Sequence, residues 1–109
     1  MAKIETVDDG SFEATVLRSE VPYVLEFGAA WCPPCKVLLA ALERFADETA
    51  GTVRVGALDV DDSPDVTTRY AVRGAPTVLV FVGGREVLRH VGATTKENIA
   101  ALVARARAA

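Results

Sequence analysis

Residues 31–35 read Trp31-Cys32-Pro33-Pro34-Cys35 and hold both cysteines and the single tryptophan of the chain. The stretch sits where an apolar run gives way to a helical pattern. Ahead of it, Tyr23-Val24-Leu25-Glu26-Phe27 is the β-rich run of a strand covered on both faces. Behind it, Val37, Leu38, Leu39, Ala41, Leu42, Phe45 and Ala46 recur as an apolar stripe, which predicts a helix from about 33 to 48. Two thiols with two residues between them at a strand-to-helix junction suit reversible disulfide chemistry. If Cys32 caps the helix, its sulfur faces unpaired N–H groups and the positive end of the helix dipole, which favour a thiolate. Cys35, one turn in, then lies beside it on the same face, close enough to close a small ring.

Cys32 is the expected nucleophile, being the thiol nearer the helix end and solvent. The alternative use of the pair is half of a zinc site. Zinc wants four ligands, and the one remaining soft candidate, His90, belongs to a different element. The spacing favours redox chemistry, and neither a metal nor any other cofactor is expected. Neither Pro33 nor Pro34 offers an N–H, so the Cys32 sulfur is left with the Cys35 N–H and the dipole. Prolines start helices well, yet a proline preceding a proline is pushed away from the α region.

Composition fits a compact redox domain. At 109 residues the chain is expected to form one domain, 1–109, burying roughly 65% of its unfolded surface. Half of its residues are hydrophobic and a quarter charged, as in globular proteins. A net charge of −3, without a clustered Lys/Arg stripe, leaves no electrostatic footprint for nucleic acid. The longest apolar runs fall far short of the ~20 residues of a membrane helix. Nothing at the start of the chain reads as a signal peptide, so a cytoplasmic location is expected, where a cysteine pair serves catalysis. A monomer is expected too.

In chain order, residues 4–7 read as a short edge strand. Asp8-Asp9-Gly10-Ser11 offers N-cap choices for a short helix with Phe12, Val16 and Leu17 on its apolar face. Pro22 breaks the chain before the strand at 23–27, and Gly51 closes the long helix. Residues 53–60 form a strand and 64–70 a short helix. Thr77 to Val82 and Arg85 to Val91 pair as a hairpin through Gly83-Gly84. Thr94 or Thr95 caps a last helix with Ile99, Leu102, Val103 and Ala106 facing the core. That order implies parallel crossovers followed by an antiparallel hairpin, hence an α/β fold with a mixed sheet between helices. Asp59, Asp61 and Asp62 read as a solvated strand end, and His90 as a surface imidazole.

With these pieces in view, the chain resembles the thioredoxin family along nearly its whole length. The resemblance rests on Phe27 through Trp31-Cys32-x-Pro34-Cys35-Lys36, on Tyr70-Ala71-Val72-Arg73-Gly74-Ala75-Pro76-Thr77, on Gly83-Gly84, and on Val91-Gly92-Ala93. It implies the thioredoxin fold, a cis bond before Pro76, and dithiol–disulfide exchange with protein substrates. Cys32 and Cys35 would form the redox-active disulfide, Cys35 resolving the mixed disulfide that Cys32 makes. The flavoenzyme thioredoxin reductase restores the dithiol in that family. The loop Gly74-Ala75-Pro76 would lie against the sulfurs, the backbone of Ala75 pairing with an extended substrate segment by β-augmentation. Gly74 and Gly92 would leave room for that segment. Trp31 would form a flat apolar rim, and Pro33, Pro34 and Ala93 would complete the substrate face.

The departures matter as much. The family places Asp where this chain has Glu26, Trp at Gly28, Lys at Ala57, and a helix-kinking Pro at Ala40. Glu26 is the one charged residue in an otherwise apolar strand, with no lysine at position 57 to offset it. Desolvation should raise its pKa, and its expected role is to take the proton of Cys35, through a water or directly. The competing expectation is that the extra methylene carries the carboxylate to solvent. Two other functions use the same fold: an oxidase or isomerase with a destabilised disulfide, and a binding module indifferent to the thiols.

Overall fold

The computed structural model describes residues 4–109. Its centre is strand β2 (Tyr23–Gly28), every residue of which is buried, as its apolar run requires and Glu26 alone interrupts. β1 (Ile4–Val7) and β3 (Arg54–Asp59) lie to one side, and β4 (Thr77–Val82) and β5 (Arg85–Val91) to the other. The sheet order is β1-β3-β2-β4-β5. β1, β3 and β2 run parallel, while β4 is antiparallel to both β2 and β5. Gly83 and Gly84 turn the hairpin with φ of 62° and 80°, a conformation closed to most side chains. The mixed sheet between helices is the α/β architecture that the element order implied.

Because side chains alternate along a strand, each face of the sheet collects its own core. Val24, Val55, Val78 and Val80 meet Leu38, Leu42 and Phe45 of helix α1 (Pro33–Glu48) and Ile99 and Val103 of helix α3 (Lys96–Ala108). On the opposite face Tyr23, Leu25, Phe27, Leu79 and Phe81 pack against Phe12, Val16 and Val66, the last from helix α2 (Pro64–Arg69). Each large apolar side chain so buried contributes about 1.5–3 kcal/mol. Gly56 of β3 faces this second core. A Cβ there would strike the Tyr23 hydroxyl and stand 3.0 Å from Val7 Cγ2.

Boundaries follow local chemistry. Pro33 and Pro34 occupy the first two positions of α1, so Pro33 is helical despite the proline after it. Thr49 caps the far end, its hydroxyl and N–H both donating to the Phe45 carbonyl, with Gly51 at φ 89° beyond it. Of the two threonines ahead of α3, Thr95 is the cap and accepts from the Asn98 N–H at 3.1 Å. The helix expected over residues 12–17 is instead one π-helical turn, Glu13–Leu17, closed by Arg18 N–H donating to the Glu13 carbonyl at 3.2 Å. Burial of both Phe12 and Val16 against the sheet decides this short segment, which is too short to sustain an α-helix by itself. Asp9 does not cap that turn. Its carboxylate reaches α2, accepting from Asp65 N–H at 3.1 Å and Val66 N–H at 2.9 Å.

Candidate active site

β2 ends at Gly28, and a short turn through Ala29-Ala30-Trp31 delivers the chain to the start of α1. The redox pair therefore sits beyond the carboxyl end of the central strand, where α/β folds gather their ligands. Cys32 is the N-cap, in an extended conformation with φ −109° and ψ 98°. Its sulfur accepts the Cys35 N–H at 3.2 Å, the donor left to it once Pro33 and Pro34 occupy the first turn. Cys32 and Cys35 are joined as a disulfide with Cα atoms 5.3 Å apart. Exposure does not rank the two thiols as expected, for Cys32 is 3% accessible and Cys35 4%. Position on the helix does: only Cys32 lies at the dipole end with an N–H aimed at its sulfur.

One side of the pair carries an open groove. Trp31 is 67% exposed, so it is a rim and not core, and Pro33 and Pro34 are exposed beside it. The Ala75–Pro76 bond is cis, and Ala75 packs against Ala29, Cys32 and Cys35. Trp31, Gly74 and Ala75 line a pocket of about 130 Å³ together with Val60, Thr67 and Val72. Among the described residues the backbone N–H and carbonyl of Ala75 make no hydrogen bond. Gly92 closes on this loop, its N–H donating to the Pro76 carbonyl at 2.8 Å, and its φ of 99° suits glycine. Gly74 and Gly92 both face open space where a side chain would stand, and Ala93 is exposed next to Gly92.

Two site contacts escaped the sequence reading. Asp61, which in sequence belongs to a solvated acidic run, accepts the Trp31 indole N–H at 2.8 Å and so orients the rim. His90 Nε2 lies 3.3 Å from the Ala93 carbonyl, bracing the Gly92 turn. The acidic run was visible in sequence, but nothing local indicated which carboxylate faced the indole.

The other side of the pair holds Glu26. Its side chain is 3% exposed, so the extra methylene does not carry it to the surface. Oε2 is buried without a hydrogen-bond partner among the described residues. Burial pushes the carboxyl from its usual 4.5 up to about 7. A Cβ placed on Gly28 would lie 3.4 Å from Glu26 Oε1 and 3.5 Å from Cys35 Sγ, so acid and thiol flank the same small volume. That volume opens into a cleft of about 260 Å³ bounded by Glu26, Gly28, Ala29, Cys35, Leu39 and Ala57.

A cysteine pair on a helix N-terminus, a cis-proline loop against its sulfurs and a buried acid behind it define a protein of dithiol–disulfide exchange. The comparisons agree. A family model described as Thioredoxin matches residues 3–105. A thioredoxin of Acidithiobacillus ferridurans is 41% identical over 89% of this chain and 90% of its own length. One from Haemophilus influenzae is 36% identical over 92% and 94%, and one from Synechocystis 35% over 92% and 94%. The chain belongs to the thioredoxin family. It is a thiol–disulfide oxidoreductase, reducing protein disulfides through the Cys32/Cys35 pair. Among the described residues no helix is long and apolar enough to cross a membrane, and no cluster of three or more His, Cys, Asp or Glu side chains is placed to hold a metal ion.

Proposed function

We propose that Cys32 is the attacking thiolate and Cys35 the resolving thiol of this protein-disulfide reductase. The observation that carries the assignment is the Cys35 N–H directed at Cys32 Sγ at the cap of α1. Charge on Cys32 is stabilised there by the hydrogen bond and the dipole, and thiolate character sets the rate of exchange. A substrate segment pairs with the backbone of Ala75 along the face made by Trp31, Pro33, Pro34, Gly74, Pro76, Gly92 and Ala93. Cys32 attacks its disulfide and expels one substrate thiol. Cys35 then attacks Cys32 of the mixed disulfide, its proton passing to the Glu26 carboxylate, and the reduced substrate departs.

In this reading the whole chain acts as one domain and as a monomer in the cytoplasm, with thioredoxin reductase as electron donor. The supporting features are the single redox pair and the open groove, which leaves room for a partner's extended segment at the sulfurs. The test is reduction of insulin disulfides with dithiothreitol as donor. Cys32→Ser should abolish turnover, and Cys35→Ser should accumulate a substrate mixed disulfide. Normal turnover by Cys35→Ser overturns the assignment of the two thiols.

A further inference from the structure

The cleft behind Cys35 is not part of the substrate groove, and its contents are unusual. It touches Cys35 but not Cys32. Its floor is Glu26, a carboxyl whose Oε2 is buried without a partner among the described residues, and its walls combine alanine and leucine with Thr6, Lys36 and Asp59. Gly28 and Ala57 keep it open, for any larger side chain at either position would intrude on it. At about 260 Å³ it falls below the ~300–1,000 Å³ of drug-sized ligand sites, so it suits a molecule of a few heavy atoms rather than a peptide.

We propose that this cleft is a second substrate site, which admits low-molecular-weight thiols to Cys35 and lets them reduce the disulfide from behind. The Cβ direction of Gly28 points between the two groups, 3.5 Å from Cys35 Sγ and 3.4 Å from Glu26 Oε1, so a small thiol in the cleft meets the sulfur and the carboxyl on the same side. The thiol gives its proton to the Glu26 carboxylate, and its sulfur forms a bond to Cys35 Sγ. The Cys32–Cys35 bond breaks, and its electron pair leaves on Cys32. A second thiol then attacks the sulfur of the bound small molecule, giving a small-molecule disulfide and the free Cys35 thiol. The balance is two thiols oxidised for one protein disulfide reduced. Attack at Cys35 is chemically favoured over attack at Cys32. It expels the sulfur already stabilised by the helix end, and the lower-pKa thiol leaves faster. The proposal rests on the redox role of the pair but not on the substrate groove.

The test uses the oxidised full chain and 2-mercaptoethanol, with acid quenching, alkylation of free thiols and peptide mass spectrometry. The expected intermediate carries the small thiol on Cys35 and the alkyl group on Cys32. Ala57→Leu, which narrows the cleft, should slow reduction by 2-mercaptoethanol about tenfold. Leu39→Ala, which widens it, should quicken reduction and decides the matter should the first variant not fold. Small thiol found on Cys32, or rates that ignore the folded cleft variants, overturns the proposal. Reduction of insulin by the pre-reduced wild-type protein runs in parallel. Its failure would instead count against the groove.

Discussion

Tyr23 and Glu26 stand on the same central strand, both buried and both ionisable, yet one is inert and the other poised. They face opposite sides of the sheet. The Tyr23 hydroxyl donates to Glu5 Oε1 at 2.7 Å, and Arg54 holds Glu5 at 2.9 Å while its guanidinium lies 5.3 Å from the Tyr23 ring centre. Burial, then the Glu5 hydrogen bond and charge, drives the tyrosine's ionisation far above its usual range, and Arg54 offsets only part of that. Glu26 has no such partners, burial alone acts on it, and its carboxyl titrates at about 7. The difference teaches that burial does not by itself make a functional group. Completing the hydrogen bonds locks Tyr23 in one protonation state. Leaving Glu26 incomplete places its proton exchange where neutral-pH chemistry can use it.

The sharpest way to break this contrast is a pH series of unfolding. A raised carboxyl pKa means that the native state keeps its proton where the unfolded chain has lost it. Wild-type stability should therefore hold below pH 4.5 and fall until about pH 7. Across that window the advantage of Glu26→Leu over wild type should grow by about 3 kcal/mol, read by urea unfolding of the oxidised proteins at pH 4 and pH 8. An advantage independent of pH would make Glu26 as inert as Tyr23. The same variant should slow single-turnover resolution of the mixed disulfide at pH 8.

On the tyrosine side the effects are smaller and flat with pH. Gly56→Ala forces a methyl against the Tyr23 hydroxyl and should destabilise by about 2 kcal/mol, as overpacking does. Tyr23→Phe removes the bond to Glu5 but leaves the Glu5–Arg54 pair, so a loss of about 1 kcal/mol is expected at every pH from 5 to 8. Thermal or urea unfolding checks both. A Tyr23→Phe effect that changed across that range would show the hydroxyl to be coupled to a titrating neighbour.

What the sequence disclosed, and what it withheld, divides along the same line of local against distant. The limits of α1 were legible because prolines, a capping thiol and an apolar stripe all act within a few residues. The two cores followed from strand alternation, and the buried acid from one charge in an apolar run. The Glu5–Tyr23–Arg54 cluster, the space demanded of Gly56 and the Asp61–indole bond join residues distant in the chain, and no local pattern encodes such pairings. The cleft was foreshadowed in part, since Gly28 and Ala57 were visible as small residues. Only the register of β2 on β3, which sets Glu26 beside Ala57, shows that the space they leave is shared.

The carboxylate of Asp9, resting on the first amides of α2, turns that short helix into a reporter. Amides in the opening turn of a six-residue surface helix ordinarily exchange with solvent deuterium almost as fast as those of a free peptide. Here Asp65 and Val66 donate to a side chain fifty-six and fifty-seven residues away in sequence, so their exchange should be slowed only while the amino-terminal segment stays docked. Thr67, next along α2, is part of the groove wall beside Trp31. Slow exchange at Asp65 and Val66, lost in Asp9→Ala, would thus time the opening of one wall of the pocket beside Trp31.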